Sequence, residues 1–111
     1  MTNNELKLND IYHLMVDFFG TKVSAPYINS VEQEITVILY DSFVFRFGID
    51  ERYQLFKGGI LLDNKHLVTS FFGEKISINN DKKTILSNFK LVDKYCRLRL
   101  PDKFLKEYDT Y

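Results

Sequence analysis

The sequence predicts an α+β protein in which an antiparallel meander sheet has an N-terminal helix and C-terminal helices packed on one face. Three observations predict this class. Phe43, Phe45 and Phe47 alternate with other residues, and only a β-strand places all three on one face. Apolar residues recur at the helical interval of three and four positions before this strand, and they do so again near the C-terminus. The predicted order is therefore helix, strands, helix, helix.

The first helix is predicted between residues 5 and 19. Its apolar residues would share one helical face: Leu8, Ile11, Tyr12, Met15, Phe18 and Phe19. Gly20 follows the last of them and is placed to end the helix. Asn4 and Asn9 are both suitable N-cap residues, so the first turn can begin at either.

The strands of the meander begin after a connection that has room for a short edge strand at residues 23–25. Residues 34–40 alternate between two faces, and residues 43–49 do the same. Asp41 and Ser42 form a polar break between them, which is typical of a tight hairpin. The two strands are therefore predicted to pair in the antiparallel direction.

The third strand is predicted at residues 52–57, and Gly58 and Gly59 are interpreted as a turn. A very short strand or a bulged continuation follows at residues 60–62. Residues 64–72 fit either a strand or a short helix. The strand is preferred because a turn and an alternating segment follow it, as in a hairpin.

The longest helix is predicted near the C-terminus, where Asn79, Asn80 and Asp81 are candidate N-caps. Its apolar stripe consists of Ile85, Phe89, Val92 and Cys96. Pro101 stops this helix and can begin a short second one over residues 102–108.

The composition is that of a single globular domain, predicted to span residues 1–111. Hydrophobic residues make up 45% of the chain and charged residues 27%, which argues against a disordered chain or a coiled coil. The chain start lacks the basic and apolar segments of a signal peptide, and no apolar run could span a bilayer. Because one cysteine cannot form an intramolecular disulfide, a reducing compartment is the simplest location, and a cytoplasmic protein is expected. The lack of a spanning apolar run predicts no membrane contact.

Residues suited to metal or covalent chemistry are few. His13, His66 and Cys96 have no paired spacing, so neither a metal site nor a cofactor is expected. Cys96 lies on the apolar helical stripe and is predicted to be buried, which disfavours a nucleophile. We therefore expect no enzymatic activity. An enzyme whose pocket includes Arg46 and Tyr53 is the least favoured alternative.

Acidic residues and tyrosines recur beside the predicted turns of the meander. A phenol offers rigid contact area and one hydrogen bond, and carboxylates attract a basic partner. The opposite face of the phenylalanine strand also presents a guanidinium. The predicted partner-binding residues are Glu32, Glu34, Tyr40, Asp41, Arg46, Asp50, Glu51 and Tyr53.

The two halves of the chain differ in charge although the formal total is zero. Residues 1–56 contain eight acids and four Lys or Arg, whereas residues 57–111 contain seven acids and eleven Lys or Arg. The C-terminal bases are Lys82, Lys83, Lys90, Lys94, Arg97, Arg99, Lys103 and Lys106. They suggest a small nucleic-acid-binding regulator as an alternative function. Nucleic acid is the less favoured partner because five acids interleave with these bases, namely Asp81, Asp93, Asp102, Glu107 and Asp109.

The segment LVDKYCRLRLPDKFL, residues 91–105, resembles the C-terminal helices of small bacterial immunity proteins of contact-dependent growth inhibition and related polymorphic toxin systems. The resemblance implies a noncatalytic cytosolic protein that binds one cognate toxin domain and occludes its active site. The acidic N-terminal half would then face a basic nuclease, whose positive cleft accommodates phosphate.

Overall fold

The protein folds as three α-helices and seven β-strands within the residues that the computed structural model describes, which are 6–50, 52–61, 67–71, 74–75 and 79–109. The elements are α1 (Leu8–Phe19), β1 (Val23–Asn29), β2 (Glu34–Leu39), β3 (Phe43–Asp50), β4 (Leu55–Leu61), β5 (Leu67–Val68), β6 (Ser70–Phe71), β7 (Glu74–Lys75), α2 (Lys82–Leu98) and α3 (Asp102–Asp109). The predicted α+β class is confirmed. None of the helices in the described part is long and apolar enough to cross a membrane.

The central sheet is an antiparallel meander of five strands in the order β1-β2-β3-β4-β5. Its register places Val37 of β2, Phe45 of β3 and Ile60 of β4 in one row across the sheet. Strands β6 and β7 form a separate hairpin. Those of residues 64–72 that the structure describes therefore agree with the preferred prediction of a strand rather than a helix. Residues 62–66 and 72–73 lie outside the described residues.

The core lies between the phenylalanine face of β3 and the helices α1 and α2, as predicted. Phe89 of α2 is at its centre, with ring centroids 5.6 to 6.4 Å from those of Phe19, Phe45, Phe47 and Phe56. Each of these rings is at most 2% exposed. Full burial of such a side chain contributes roughly 1.5–3 kcal/mol to stability, so this aromatic cluster fixes both helices on one face of the sheet.

The helix ends follow local hydrogen bonds. The carboxylate of Asp10 accepts the backbone N–H of Lys7 at 3.0 Å, and Lys7 is the N-cap residue of α1. Asn9, one of the two predicted caps, lies inside the first turn. The other predicted cap, Asn4, lies outside the described residues. Gly20 ends α1 with a φ of 56°, a left-handed value that glycine adopts without strain.

The N-terminus of α2 is capped by Asp81, one of the three predicted candidates. Its carboxylate accepts the backbone N–H of Thr84 at 2.8 Å and the Thr84 hydroxyl at 3.0 Å. These hydrogen bonds stabilise the ionised form and lower the pKa of Asp81. The cap therefore sets where α2 begins and which residues face the core.

Gly58 and Gly59 lie inside β4, and the prediction of a turn there was wrong. Gly58 pairs with Phe47, and a Cβ on Gly58 would lie 2.9 Å from the Phe47 Cβ. A Cβ on Gly59 would lie 2.3 Å from the carbonyl oxygen of Val68. These glycines permit close approach of neighbouring backbone, and β4 is one continuous strand that begins at Leu55 rather than at residue 52.

The β2–β3 turn is shifted by one residue from its predicted position. β2 ends at Leu39, and Tyr40 and Asp41 occupy the turn with φ values of 53° and 54°. The N–H of Ser42 donates to the Leu39 carbonyl at 3.0 Å and closes it. Because the backbone at Tyr40 is left-handed, the alternation of side chains breaks there and Tyr40 follows Leu39 into the core.

The edge strand β1 is longer than predicted and continues through Pro26 to Asn29. Its pairing with β2 shifts between Ser24 and Tyr27, and Ala25 between them has a φ of 50°. This bulge and the proline, which has no N–H to donate, interrupt the free edge of the sheet.

Candidate functional site

The predicted binding residues separate into groups at the two ends of the sheet. In a meander, the β1–β2 and β3–β4 turns lie at one end and the β2–β3 turn at the other. Glu32, Glu34, Asp50 and Tyr53 lie at the first end, Tyr40 and Asp41 lie at the second, and Arg46 is within β3. Glu51 is outside the described residues. The predicted set is therefore not one surface.

The first end, here named the turn end, consists of Val31, Glu32, Glu34, Asp50, Arg52, Tyr53 and Lys57. Its two turns border a shallow depression of about 250 Å³. The depression is lined by Val31, Glu32, Ile49, Asp50, Arg52 and Lys57. Residues from two separate turns thus form one continuous surface.

The β1–β2 turn is held against β3 by its backbone. The Gln33 carbonyl accepts the N–H of Ile49 at 3.0 Å. A Cβ at Gly48 would lie only 2.0 Å from the same oxygen, so this approach requires glycine. Inside the turn, the Gln33 side-chain amide donates to the Ser30 carbonyl at 2.7 Å, and the Glu32 N–H donates to the Asn29 side chain at 3.1 Å. These contacts hold the turn in one conformation.

Large apolar side chains are exposed at the turn end and along the adjacent edge strand. Val31 is 85% exposed and Tyr53 65%. Tyr27 and Ile28 of β1 are also exposed. Single exposed apolar residues are ordinary, but grouped ones are typical of interaction surfaces.

Charges at the turn end are more balanced than predicted. The Asp50 carboxylate lies 3.8 Å from the Arg52 guanidinium, and the Glu34 carboxylate lies 3.3 Å from the Lys57 ammonium. The Arg52 guanidinium also lies 5.4 Å from the centroid of the Tyr53 ring. Glu32 forms no ion pair with the described residues. One negative charge is therefore in excess among the described turn-end residues.

Arg46 lies half-buried on the sheet face opposite the helices. Its Nε donates to the Thr36 hydroxyl at 3.3 Å. Tyr27 pairs with Thr36, so Tyr27 is the aromatic residue in the same row as Arg46.

Tyr40 is fully buried, and its prediction as a surface contact was wrong. Its hydroxyl donates to the Asp93 carboxylate at 2.5 Å and accepts an N–H from Arg97 at 3.3 Å. Burial raises the pKa of Tyr40, and the hydrogen bond to Asp93 raises it further. Tyr40 therefore connects the β2–β3 turn to α2 as a neutral phenol.

The described residues include no group of three or more His, Cys, Asp or Glu side chains placed to bind a metal ion. Cys96 is fully buried, as predicted. Burial and the nearby Asp93 raise the pKa of its thiol to about 12. The thiol is therefore protonated at neutral pH and is not activated as a nucleophile.

A cationic surface follows the exposed side of α2. The sequence suggested such a surface only as the basis of the alternative function, nucleic-acid binding. The α2 lysine face consists of Lys82, Lys83, Lys90 and Lys94, all exposed. Two of the predicted compensating acids serve other contacts, because Asp81 caps the helix and Asp93 is half-buried against Tyr40. The placement of Asp93 depends on Tyr40, whose contact with α2 has no local sequence signal.

The structure thus presents two surfaces of different character. They are the turn end, which combines the exposed Val31 and Tyr53 with a small excess of negative charge, and the α2 lysine face. Rigid turns with exposed aromatic and aliphatic side chains are suited to docking another protein. A run of ammonium groups is suited to an anionic polymer. Comparison of the chain with protein-family models, with curated proteins and with solved structures gives no match.

Proposed function

We propose that the protein is an immunity-type inhibitor that acts in the bacterial cytoplasm. It binds one cognate toxin domain, occludes the toxin active site and catalyses no reaction. The observation that supports this proposal is the depression between two turns, which is lined by the largely exposed Val31 and by Glu32 of one turn and by Arg52 of the other. Tyr53, also largely exposed, follows Arg52 in the second turn. The resemblance of residues 91–105 to immunity proteins supports the same function.

The anchors of such an interface are Val31 and Tyr53. A few central side chains provide most of the affinity of a protein interface, and tyrosine is enriched among them. Because the β1–β2 turn is already fixed by the Gln33 carbonyl and the Ile49 N–H, binding costs little ordering of this segment. The turn end is therefore preorganised to enter a cleft of the partner.

The charge of the turn end supports a basic partner with only moderate steering. Glu32 can pair with a Lys or Arg beside the phosphate-binding cleft of a nuclease. Arg52 and Lys57 already neutralise Asp50 and Glu34. Charge therefore adjusts the association rate, whereas the apolar anchors determine the lifetime of the complex.

The proposal predicts that an adjacent gene encodes the toxin domain, and coexpression with that neighbour tests it. We expect the native chain to restore growth and to co-elute with the toxin in gel filtration. The double variant Val31→Asp/Tyr53→Ala should lose affinity by about 100-fold or more and should no longer protect. Leu98→Asp, which changes an exposed apolar residue of α2 outside the turn end, should bind and protect normally.

Two results would contradict the proposal. One is persistent growth inhibition with no complex between the native chain and the toxin. The other is equal loss of binding in the turn-end variant and in Leu98→Asp, since that result would show a general effect on folding.

A further inference from the structure

The exposed side of α2 is a cationic stripe. Lys83, Lys90 and Lys94 are separated by seven and four residues, intervals that return to the same side of a helix. Lys94 lies 11 positions after Lys83, which corresponds to a rise of about 16 Å along the helix. Lys82 is beside the first of them and is also exposed. The stripe thus spans most of the length of α2.

Acidic side chains do not neutralise this stripe from within α2. Asp93 is the one acid in the helix, and the Tyr40 hydroxyl donates to its carboxylate from the sheet side. Asp81, at the N-cap, accepts two hydrogen bonds from Thr84. Two of the five interleaved acids, Asp81 and Asp93, are therefore engaged in structural contacts, so the alternation of acids and lysines along the sequence overstates the neutralisation within α2.

We propose that the α2 lysine face binds the phosphodiester backbone of nucleic acid without reading its sequence. Ammonium groups act as strongly hydrated point charges suited to single phosphate oxygens. Duplex DNA carries one charge per roughly 1.7 Å of its axis, so a stripe of this length faces several phosphates. Neutralising those phosphates releases counterions, which provides most of the binding free energy of nonspecific complexes.

The arginines of α2 and its C-cap are already engaged in contacts within the protein. Arg97 donates to the Tyr40 hydroxyl, and the Arg99 guanidinium lies 3.7 Å from the centroid of the Tyr95 ring. Bidentate arginine is the commonest reader of guanine in the major groove. The exposed ammonium groups of the α2 lysine face supply the contacts to phosphate, and lysines on phosphates position a protein without specifying sequence.

A membrane surface fits this face less well than nucleic acid does. A helix that lies in a bilayer interface inserts an apolar side into the acyl region. The apolar stripe of α2 is instead fully buried in the core: Ile85, Phe89, Val92 and Cys96. The one large apolar side chain that α2 exposes is Leu98, near its C-terminal end.

The α2 lysine face and the turn end have no residue in common. The hydrogen bond between Tyr40 and Asp93 places the C-terminal half of α2 beside the β2–β3 turn, at the opposite end of the sheet. Nucleic-acid binding can therefore be tested without changing the turn end.

Fluorescence anisotropy with a labelled duplex of mixed sequence tests the proposal. If about four lysines contact phosphates, the association constant should fall roughly 100-fold between about 50 and 200 mM salt. Lys83→Gln/Lys90→Gln should bind more weakly at low salt and should retain only about a tenfold dependence over the same range. Lys7→Gln/Lys22→Gln, which removes the same charge from residues outside α2, should behave as the native chain does.

Three outcomes would overturn the proposal. They are no salt-dependent binding by the native chain, equal weakening in the two double variants, and binding to vesicles containing anionic lipid without binding to the duplex. Thermal unfolding of each variant accompanies the titrations. Because all the substituted lysines lie at least partly in solvent, we expect native-like midpoints.

Discussion

Tyr40 shows how one backbone angle reassigns a side chain from surface to core. Alternation along β2 places Tyr40 opposite Leu39, but its φ of 53° breaks the alternation. The phenol then reaches Asp93 and Arg97 of α2. A residue that resembled a recognition tyrosine is therefore a connection between the sheet and the helix layer.

Tyr40→Phe should destabilise the protein by about 1.5–3 kcal/mol, because Asp93 loses a charge-assisted hydrogen bond in a half-buried position. Urea unfolding near neutral pH measures this loss. Folding raises the pKa of Tyr40, so the stability that its hydroxyl contributes is complete below its unfolded-state pKa near 10. This stability declines as the pH rises above that pKa. The difference between native chain and variant should therefore shrink at alkaline pH. A difference that is zero near neutral pH, or independent of pH, would contradict this role.

At the scale of elements, the start of α2 depends on an ionised cap. Hydrogen bonds from Thr84 lower the pKa of Asp81, so its contribution is present above the unfolded pKa near 3.9 and is lost as pH falls further. Asp81→Asn retains a capping oxygen but cannot titrate. We expect the melting temperatures of native chain and variant to differ near pH 7 and to converge toward about pH 3. A constant difference would show that the carboxylate charge does not stabilise α2.

The elements that sequence predicts well here are those whose signal is local. The Phe43–Phe47 alternation and the stripe through Phe89 each define one buried face, and both were placed correctly. Gly58 and Gly59 were wrongly predicted as a turn, because the backbone that approaches them comes from β3 and from Val68. That constraint exists only after the strands pair.

The candidate site was predicted only in part for the same reason. Its acids and Tyr53 are visible in the sequence, whereas Val31, a valine in a turn, has no distinguishing local pattern. The sequence also does not show that Arg52 and Lys57 neutralise Asp50 and Glu34. Lys57 of β4 pairs with Glu34 of β2, and these strands are neighbours of β3 only after folding. Sequence therefore indicated the kind of residues involved but not the surface that they form.

For the whole molecule, folding mixes the acidic and basic halves of the chain. α1 belongs to the acidic half, yet it packs beside α2 of the basic half. Phe18 and Phe19 of α1 both contact Phe89 of α2. The charge difference between halves therefore does not become one dipole between two lobes. Charge is separated locally, between the turn end and the α2 lysine face.

The same packing predicts one cooperative unfolding transition. Phe89 contacts rings from α1, β3 and β4, so neither the helices nor the sheet can retain a closed core after the other is lost. Far-UV circular dichroism and the near-UV tyrosine signal should give coincident urea transitions. Phe89→Leu should move both midpoints down together, whereas Phe89→Ala should cost about 3–5 kcal/mol and leave the fold marginal. Two separated transitions would instead mean that the sheet is stable without its helices. In that case the turn end could bind a partner while α2 is unfolded, and the two proposed surfaces would belong to independent folding units.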